Sequence, residues 1–272
     1  MNGAGSDRRV AVAAWVAAAA VFVMALLYAF GPQLGTDVPR TAVGLGDLLA
    51  ALLCTVLCYI LWRSFDRSEL LRQVWLNLGI GLAMWTLAEF IYGLYGLILQ
   101  RDPPNPSLAD AVWLPAFIPI FAAFWLRYRS LRVSLSRRQI AALLVGFAIL
   151  AGLSLAFVLI PSLSLHRAGE EAGDLTLGVI YGLGDLLLAM VVGLTIVSLL
   201  GGQLSRSWLI VALGFLAIAV GDSLYYSGVA TGWYSDQAPA NLPSAISDIA
   251  YWAGYVIIAL GLFDQAVLQR AL

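Results

Sequence analysis

A chain of 272 residues with 61% apolar and 11% charged side chains falls far short of the roughly 25% charge of a soluble domain. Its mean hydropathy of +0.89 implies too much apolar surface for a water-soluble globule, which excludes soluble enzyme folds, collagen, disordered tails and disulfide-stapled miniproteins. All 15 basic residues are arginine and the net charge is −1, so lysine Schiff bases, pyridoxal sites and P-loop lysines are impossible and no footprint for nucleic acid exists.

About 20 apolar residues carry a helix across the hydrocarbon core of a membrane, and eight stretches reach that length. The first covers 9–30. Arg8 and Arg9 precede it like the charged start of a signal peptide. It outruns the ~7–15-residue apolar core of a signal peptide and no small-x-small site ends it, so it reads as a retained helix. The second, 43–64, holds Gly44-Leu45-Gly46-Asp47-Leu48-Leu49, then Cys54 and Cys58. Four apart, the cysteines share a helical face and read as packing groups, not as a disulfide or a zinc site. The third, 75–99, carries Glu89 and Tyr92, three apart on one face. The fourth, 108–128, follows Pro106-Ser107 and carries Asp110, Trp113, Pro115 and Pro119. Ser107-x-x-Asp110 has the form of a capping box.

The fifth stretch covers 139–160. Before the sixth lies His166, the one histidine, which excludes a bis-histidine haem or a multi-histidine metal site. The sixth, 177–200, holds Gly182-Leu183-Gly184-Asp185-Leu186-Leu187. The seventh, 207–229, carries Asp222 and Tyr225, and the eighth, 245–267, carries Asp248 and Tyr251 after Pro243-Ser244. Apolarity without period-two alternation favours helices over a β-barrel. Twelve of the arginines fall at one end of the spans, against Arg40, Arg101 and Arg167 at the other. The positive-inside rule then places both termini in the cytoplasm of a multi-pass cell-membrane protein. The longer outer loops become 31–42, 100–107, 161–176 and 230–244.

The chain also contains itself twice. The Gly-Leu-Gly-Asp-Leu-Leu run recurs at an offset of 138, as do Asp110 and Asp248, while Glu89-x-x-Tyr92 and Asp222-x-x-Tyr225 are 133 apart. Each unit holds four spans, 1–137 and 138–272. Four is even, so both units enter the membrane the same way. The expected fold is an all-α integral membrane protein of eight transmembrane helices, two parallel four-helix repeats related by an axis along the membrane normal.

Six acids, three per unit, then fall at matching outer-half depths: Asp47, Glu89, Asp110, Asp185, Asp222 and Asp248. An ionised carboxylate in hydrocarbon costs about 3 kcal/mol even on the mild insertion scale. Each must be protonated, hydrogen-bonded, hydrated or paired. Asp110 and Asp248 suit helix capping. Asp47 and Asp185 suit stabilisation of a helix start by the macrodipole, or a polar contact between repeats. Glu89 and Asp222 lie deeper, where capping offers no explanation. Trp85, Tyr95, Trp113, Tyr181, Tyr226, Tyr251, Trp252 and Tyr255 accompany them, as interfacial belt or as ring faces for an organic cation. The candidate ligand-binding residues are Glu89, Tyr92, Asp222, Tyr225, Asp47, Asp185, Asp110 and Asp248. No metal site is indicated, and the cofactor is left open.

Pro106-Ser107-Leu108-Ala109-Asp110-Ala111-Val112-Trp113-Leu114 resembles a proline-serine-x-alanine-aspartate element of the multi-helix membrane regions of bacterial signalling proteins. Those regions precede diguanylate cyclase, phosphodiesterase or histidine kinase domains. The Glu89 segment is similar to the acid-bearing helix of such regions, and Ser247-Asp248 repeats the element loosely. The resemblance implies a sensory or anchoring module. No output domain follows before Leu272, so the expectation is an isolated input module, or a scaffold put to another use.

The favoured function is a non-catalytic membrane module. It senses or binds a small cationic or lipid-like ligand from the outer half of the bilayer and couples to a protein partner in the membrane or at its cytoplasmic face. The alternatives are a structural subunit of a photosynthetic or respiratory membrane complex, a transporter, and an intramembrane enzyme such as a lipid hydrolase. That enzyme would use Asp185 and Asp222 as acid and base or to hold a metal, but it lacks a membrane histidine for the usual nucleophile–base pair. The sequence leaves open whether the two acidic triads face one cavity or two.

Overall fold

The computed structural model describes residues 3–30, 38–99, 103–104, 106–161, 163, 172–200, 206–234 and 242–272. His166, Arg101, Arg167 and most of the four longer loops lie outside the described residues. Among the described residues there are helices and no strands: α1 (Gly3–Phe30), α2 (Val38–Ser64), α3 (Leu70–Leu97), α4 (Asp110–Leu131), α5 (Arg137–Ser154, running on into a π-helical turn Leu155–Leu159), α6 (Ala172–Leu200), α7 (Arg206–Thr231) and α8 (Leu242–Leu268). Eight helices are long and apolar enough to cross a membrane, the pattern of a multi-pass membrane protein.

Local chemistry sets several ends. Helix α4 stops where Arg132 turns left-handed at φ 49°. Four residues on, Ser136 opens α5 with a reciprocal cap. Its Oγ accepts from the Gln139 N–H at 3.3 Å, and its own N–H donates to Gln139 Oε1 at 2.9 Å. Two otherwise orphaned donors are satisfied together. Ser136→Ala should lower stability by about 1 kcal/mol, and Ser136→Thr should keep most of it. Equilibrium unfolding in mild detergent checks this, and equal losses from the two variants would mean that the cap contributes nothing.

Chain neighbours pack as α2 on α3, α3 on α4, α6 on α7 and α7 on α8. Three further contacts cross between the chain halves: α2 and α1 rest on α8, and α4 on α6. Helix α1 lies mainly against α8, whereas α5 lies against α6. The core runs along two stripes of spacing 3, 4, 3, the rhythm of a coiled-coil seam. On α3 it is Trp75, Leu78, Leu82 and Trp85; on α7 it is Trp208, Val211, Phe215 and Ile218, all buried. The Trp75 and Trp208 rings lie 4.7 Å apart at one end, and Arg127 sits over the Trp208 ring at 5.2 Å. Cys54 and Cys58 are free and buried, as expected for packing groups, and the Cys54 thiol donates to the Tyr255 carbonyl at 3.2 Å.

Small residues let the helices approach. A Cβ on Gly214 would lie 2.7 Å from the Gly254 carbonyl oxygen, and one on Gly261 2.7 Å from that of Ser207. Helices α7 and α8 therefore touch backbone to backbone, and the Ser247 hydroxyl bonds the Gly221 carbonyl at 3.0 Å. The second glycine of each Gly-Leu-Gly-Asp run accepts an aromatic ring from the other chain half. Gly46 faces Trp252 and Gly184 faces Phe117. At the tryptophan end, Asp264 is fully buried and ion-paired to Arg206, with the Ser207 hydroxyl donating at 2.7 Å. By contrast, α5 buries no residue before its π turn.

Candidate functional site

Fourteen residues beyond Trp75, about 21 Å along α3, the same stripe ends in Glu89, which is buried. The α7 stripe ends likewise in Asp222, which is half-buried. Tyr251 and Tyr255 of α8 donate to Glu89 Oε1 at 2.9 and 3.1 Å, and their hydroxyls lie 3.2 Å apart. The Trp113 indole N–H points at the same carboxylate without closing a hydrogen bond. Two tyrosines of α8, rather than Tyr92 on the same helix, thus hold Glu89.

Asp110 accepts from the Ser107 N–H and hydroxyl at 2.7 and 2.8 Å, and its other oxygen takes the Tyr181 hydroxyl of α6 at 2.8 Å. Half of the expected capping box is formed. The Ser107 hydroxyl oxygen accepts instead from the Ala109 N–H at 3.2 Å. Asp248 departs from the capping expectation. Helix α8 starts at Leu242, which puts Asp248 beyond the first turn, where it accepts from Tyr28 of α1 and from Tyr234 at 3.0 Å. Burial, with the Asp248 carboxylate beside it, pushes the Tyr234 phenol above its ordinary pKa, so it remains a donor.

The macrodipole expectation for Asp47 and Asp185 is corrected for the same reason. Helices α2 and α6 begin at Val38 and Ala172, well before either acid, and the macrodipole effect fades within the first turn. Both side chains are buried. Asp47 Oδ1 and both oxygens of Asp185 have no hydrogen-bond partner. Asp222 accepts no hydrogen bond among the described residues.

These four acids form one connected set. Asp47 lies within electrostatic reach of Glu89 and Asp222, and Asp222 within reach of Glu89 and Asp185. The rings of Trp85, Phe117, Phe215 and Tyr255 meet beside them at 5.7–6.0 Å. Tyr181 and Tyr226 stack at 5.2 Å. Tyr225 packs between Tyr226 and Tyr234 at 5.1 and 4.7 Å, and Tyr92 is exposed with its ring 5.4 Å from Trp113. Among the described residues no arginine is ion-paired to any of the four, and no three His, Cys, Asp or Glu side chains converge closely enough for a metal ion.

Sequence reasoning missed Tyr28, Tyr234 and Asp264. The first two are lone tyrosines at span ends, with nothing local to mark them. Asp264 carried a signal: an acid one turn from the end of a span on the arginine-rich side. Comparison with protein-family models, curated proteins and solved structures returns no match for this chain.

Proposed function

We propose that this chain is a non-catalytic multi-pass membrane module that binds a small cationic or lipid-like ligand at the carboxylate cluster and passes the resulting change in helix packing to a partner. The single observation that carries this reading is the charge imbalance. Among the described residues, Asp47, Glu89, Asp185 and Asp222 lie within electrostatic reach of one another with no side-chain cation paired to them, and three of their buried oxygens take no hydrogen bond. A bound cation or protons must balance the site, and the rings around it attract organic cations.

In the same reading the chain is two parallel four-helix repeats, 1–137 and 138–272, in a cell membrane with both termini cytoplasmic. Two observations support the repeat. Trp75 stacks on Trp208, its equivalent at the 133-residue offset, and Glu89 and Asp222 keep that offset at the far end. The α2–α8 and α4–α6 contacts exchange under the same operation. A second reading, a subunit of a larger membrane complex, draws on α5, which leans on α6 yet has no fully buried residue before its π turn.

The test is native mass spectrometry of protein extracted gently from its own membranes, beside choline titration in maltoside detergent. A bound cation or ammonium lipid is expected, with affinity for choline falling about tenfold or more in the folded Glu89→Gln/Asp222→Asn double variant. A stoichiometric protein partner with no small ligand would favour the complex subunit instead. A double variant that unfolds in mild detergent would make the pair structural and remove the main support.

A further inference from the structure

The four acids of the cluster are not equivalent. Glu89 is held by two tyrosine hydroxyls. Asp185 is buried, with both oxygens unanswered among the described residues, and Asp222 is the acid within electrostatic reach of it. We infer that the ligand is an organic ammonium group, held between Asp185 and Asp222 on the α6–α7 side of the cluster, with the stacked rings of Tyr181 and Tyr226 closing over it. This rests on the cation-binding reading and says where the cation sits and what class it belongs to.

The helical arithmetic puts the rings in place. Tyr181 precedes Asp185 by four residues, and Tyr226 follows Asp222 by four. Helices α6 and α7 run antiparallel, so both rings lie one turn from the carboxylates in the same direction. Their stacking at 5.2 Å shows that they meet there, and the Tyr181 hydroxyl is anchored on Asp110 at 2.8 Å. The corresponding turns of α2 and α3 carry Val43 and Gly93, so the Asp47–Glu89 side has no ring pair.

The wall differs as well. The π turn Leu155–Leu159 of α5 packs against both α6 and α7. Its Val158 is buried and, with Ser154, lies 3.6–3.7 Å from where a Cβ on Gly182 would stand. Gly182 is one turn from Asp185. Such π turns recur at functional sites because they re-aim one wall of a helix. Helix α1 rests mainly on α8 and touches α2, with no comparable contact to α3 among the described residues.

The ligand class follows from what is absent and what is present. Among the described residues no third acid, histidine or cysteine joins to hold a metal, and a divalent ion wants about six oxygens. Two carboxylates and two ring faces suit an ammonium with carbon substituents. That chemistry occurs in free solutes such as choline and in the headgroups of ethanolamine and choline phospholipids.

The experiment uses the full chain in maltoside detergent, which carries no ammonium, with choline titrated by calorimetry. Asp185→Asn should weaken choline at least tenfold more than Glu89→Gln does. Tyr226→Leu should weaken it comparably and Tyr226→Phe should restore it, because the ring and not the hydroxyl meets the cation. The Tyr226 pair decides the matter if Asp185→Asn does not fold. Native mass spectrometry separates the sources: an ammonium phospholipid carried from the membrane and lost in the Tyr226→Leu variant marks a headgroup site, and choline binding to lipid-free protein marks a solute site. Choline binding that depends on Glu89 and ignores Asp185 and Tyr226 would overturn this placement and leave the cation reading standing. No binding of choline, tetramethylammonium or an ammonium lipid to the unmodified protein would overturn both.

Discussion

Changing Gly254 to alanine should cost about 2–3 kcal/mol, the upper range for overpacking a close-packed contact. The new methyl carbon would stand 2.8 Å from the Gly214 carbonyl oxygen and even nearer to the Ile218 side chain. The first obstacle is backbone, which no rotamer change can move, so α7 and α8 must separate along their whole contact. Gly146→Ala is the control. Nothing lies within 4 Å of that position, and alanine is the better helix former by up to about 1 kcal/mol. Unfolding in graded denaturing detergent should therefore show a large loss for Gly254→Ala and none for Gly146→Ala. Equal behaviour of the two would mean that α7 and α8 do not meet at glycine.

The second large effect is expected two to three turns away, where the same helix pair ends in Arg206 and Asp264. Arg206→Gln should lose about 2 kcal/mol, and Asp264→Asn clearly less. The asymmetry comes from burial: side-chain exposure is 55% for Arg206 and 0% for Asp264. Removing the arginine leaves a buried carboxylate with only the Ser207 hydroxyl to answer it. Breaking a fully buried pair costs roughly 3–5 kcal/mol, and exposure of the guanidinium reduces that figure. Removing the carboxylate instead leaves an arginine that water can solvate. The double variant Arg206→Gln/Asp264→Asn should recover part of the loss, the signature of a coupled pair. Strictly additive losses in the double-mutant cycle would show that the two side chains act independently.

Length and apolarity made the eight helices legible, because a spanning helix must satisfy its own backbone and so needs a continuous apolar run. Their ends were less legible. Val38 starts α2 and Leu242 starts α8, several residues before the apolar runs begin, since the first turn of a helix tolerates polar residues and proline. That shift moved Asp47 out of reach of the macrodipole at a helix start and Asp248 out of reach of a capping explanation. The six outer acids were found because charge in hydrocarbon is conspicuous. Their partners were not, because Tyr251 and Tyr255 reach Glu89 from α8 across more than 160 residues, and no local pattern encodes such a meeting. The two Gly-Leu-Gly-Asp runs match in sequence, yet only the packing reveals the task of their second glycines, seating Trp252 and Phe117.

The rest of the first helix on the last also dictates a timetable. Helices α1 and α2 leave the ribosome well before α8, on which both pack. At ~5–20 residues per second, the 177 residues between the end of α2 and the start of α8 take roughly 10–40 s to make. Throughout that interval the Tyr28 hydroxyl has no Asp248 to bond, and the Asp47 side of α2 has no α8 to cover it. The early helices wait with polar groups unanswered, and the last helix to emerge works as the clasp that closes the bundle around its own acids.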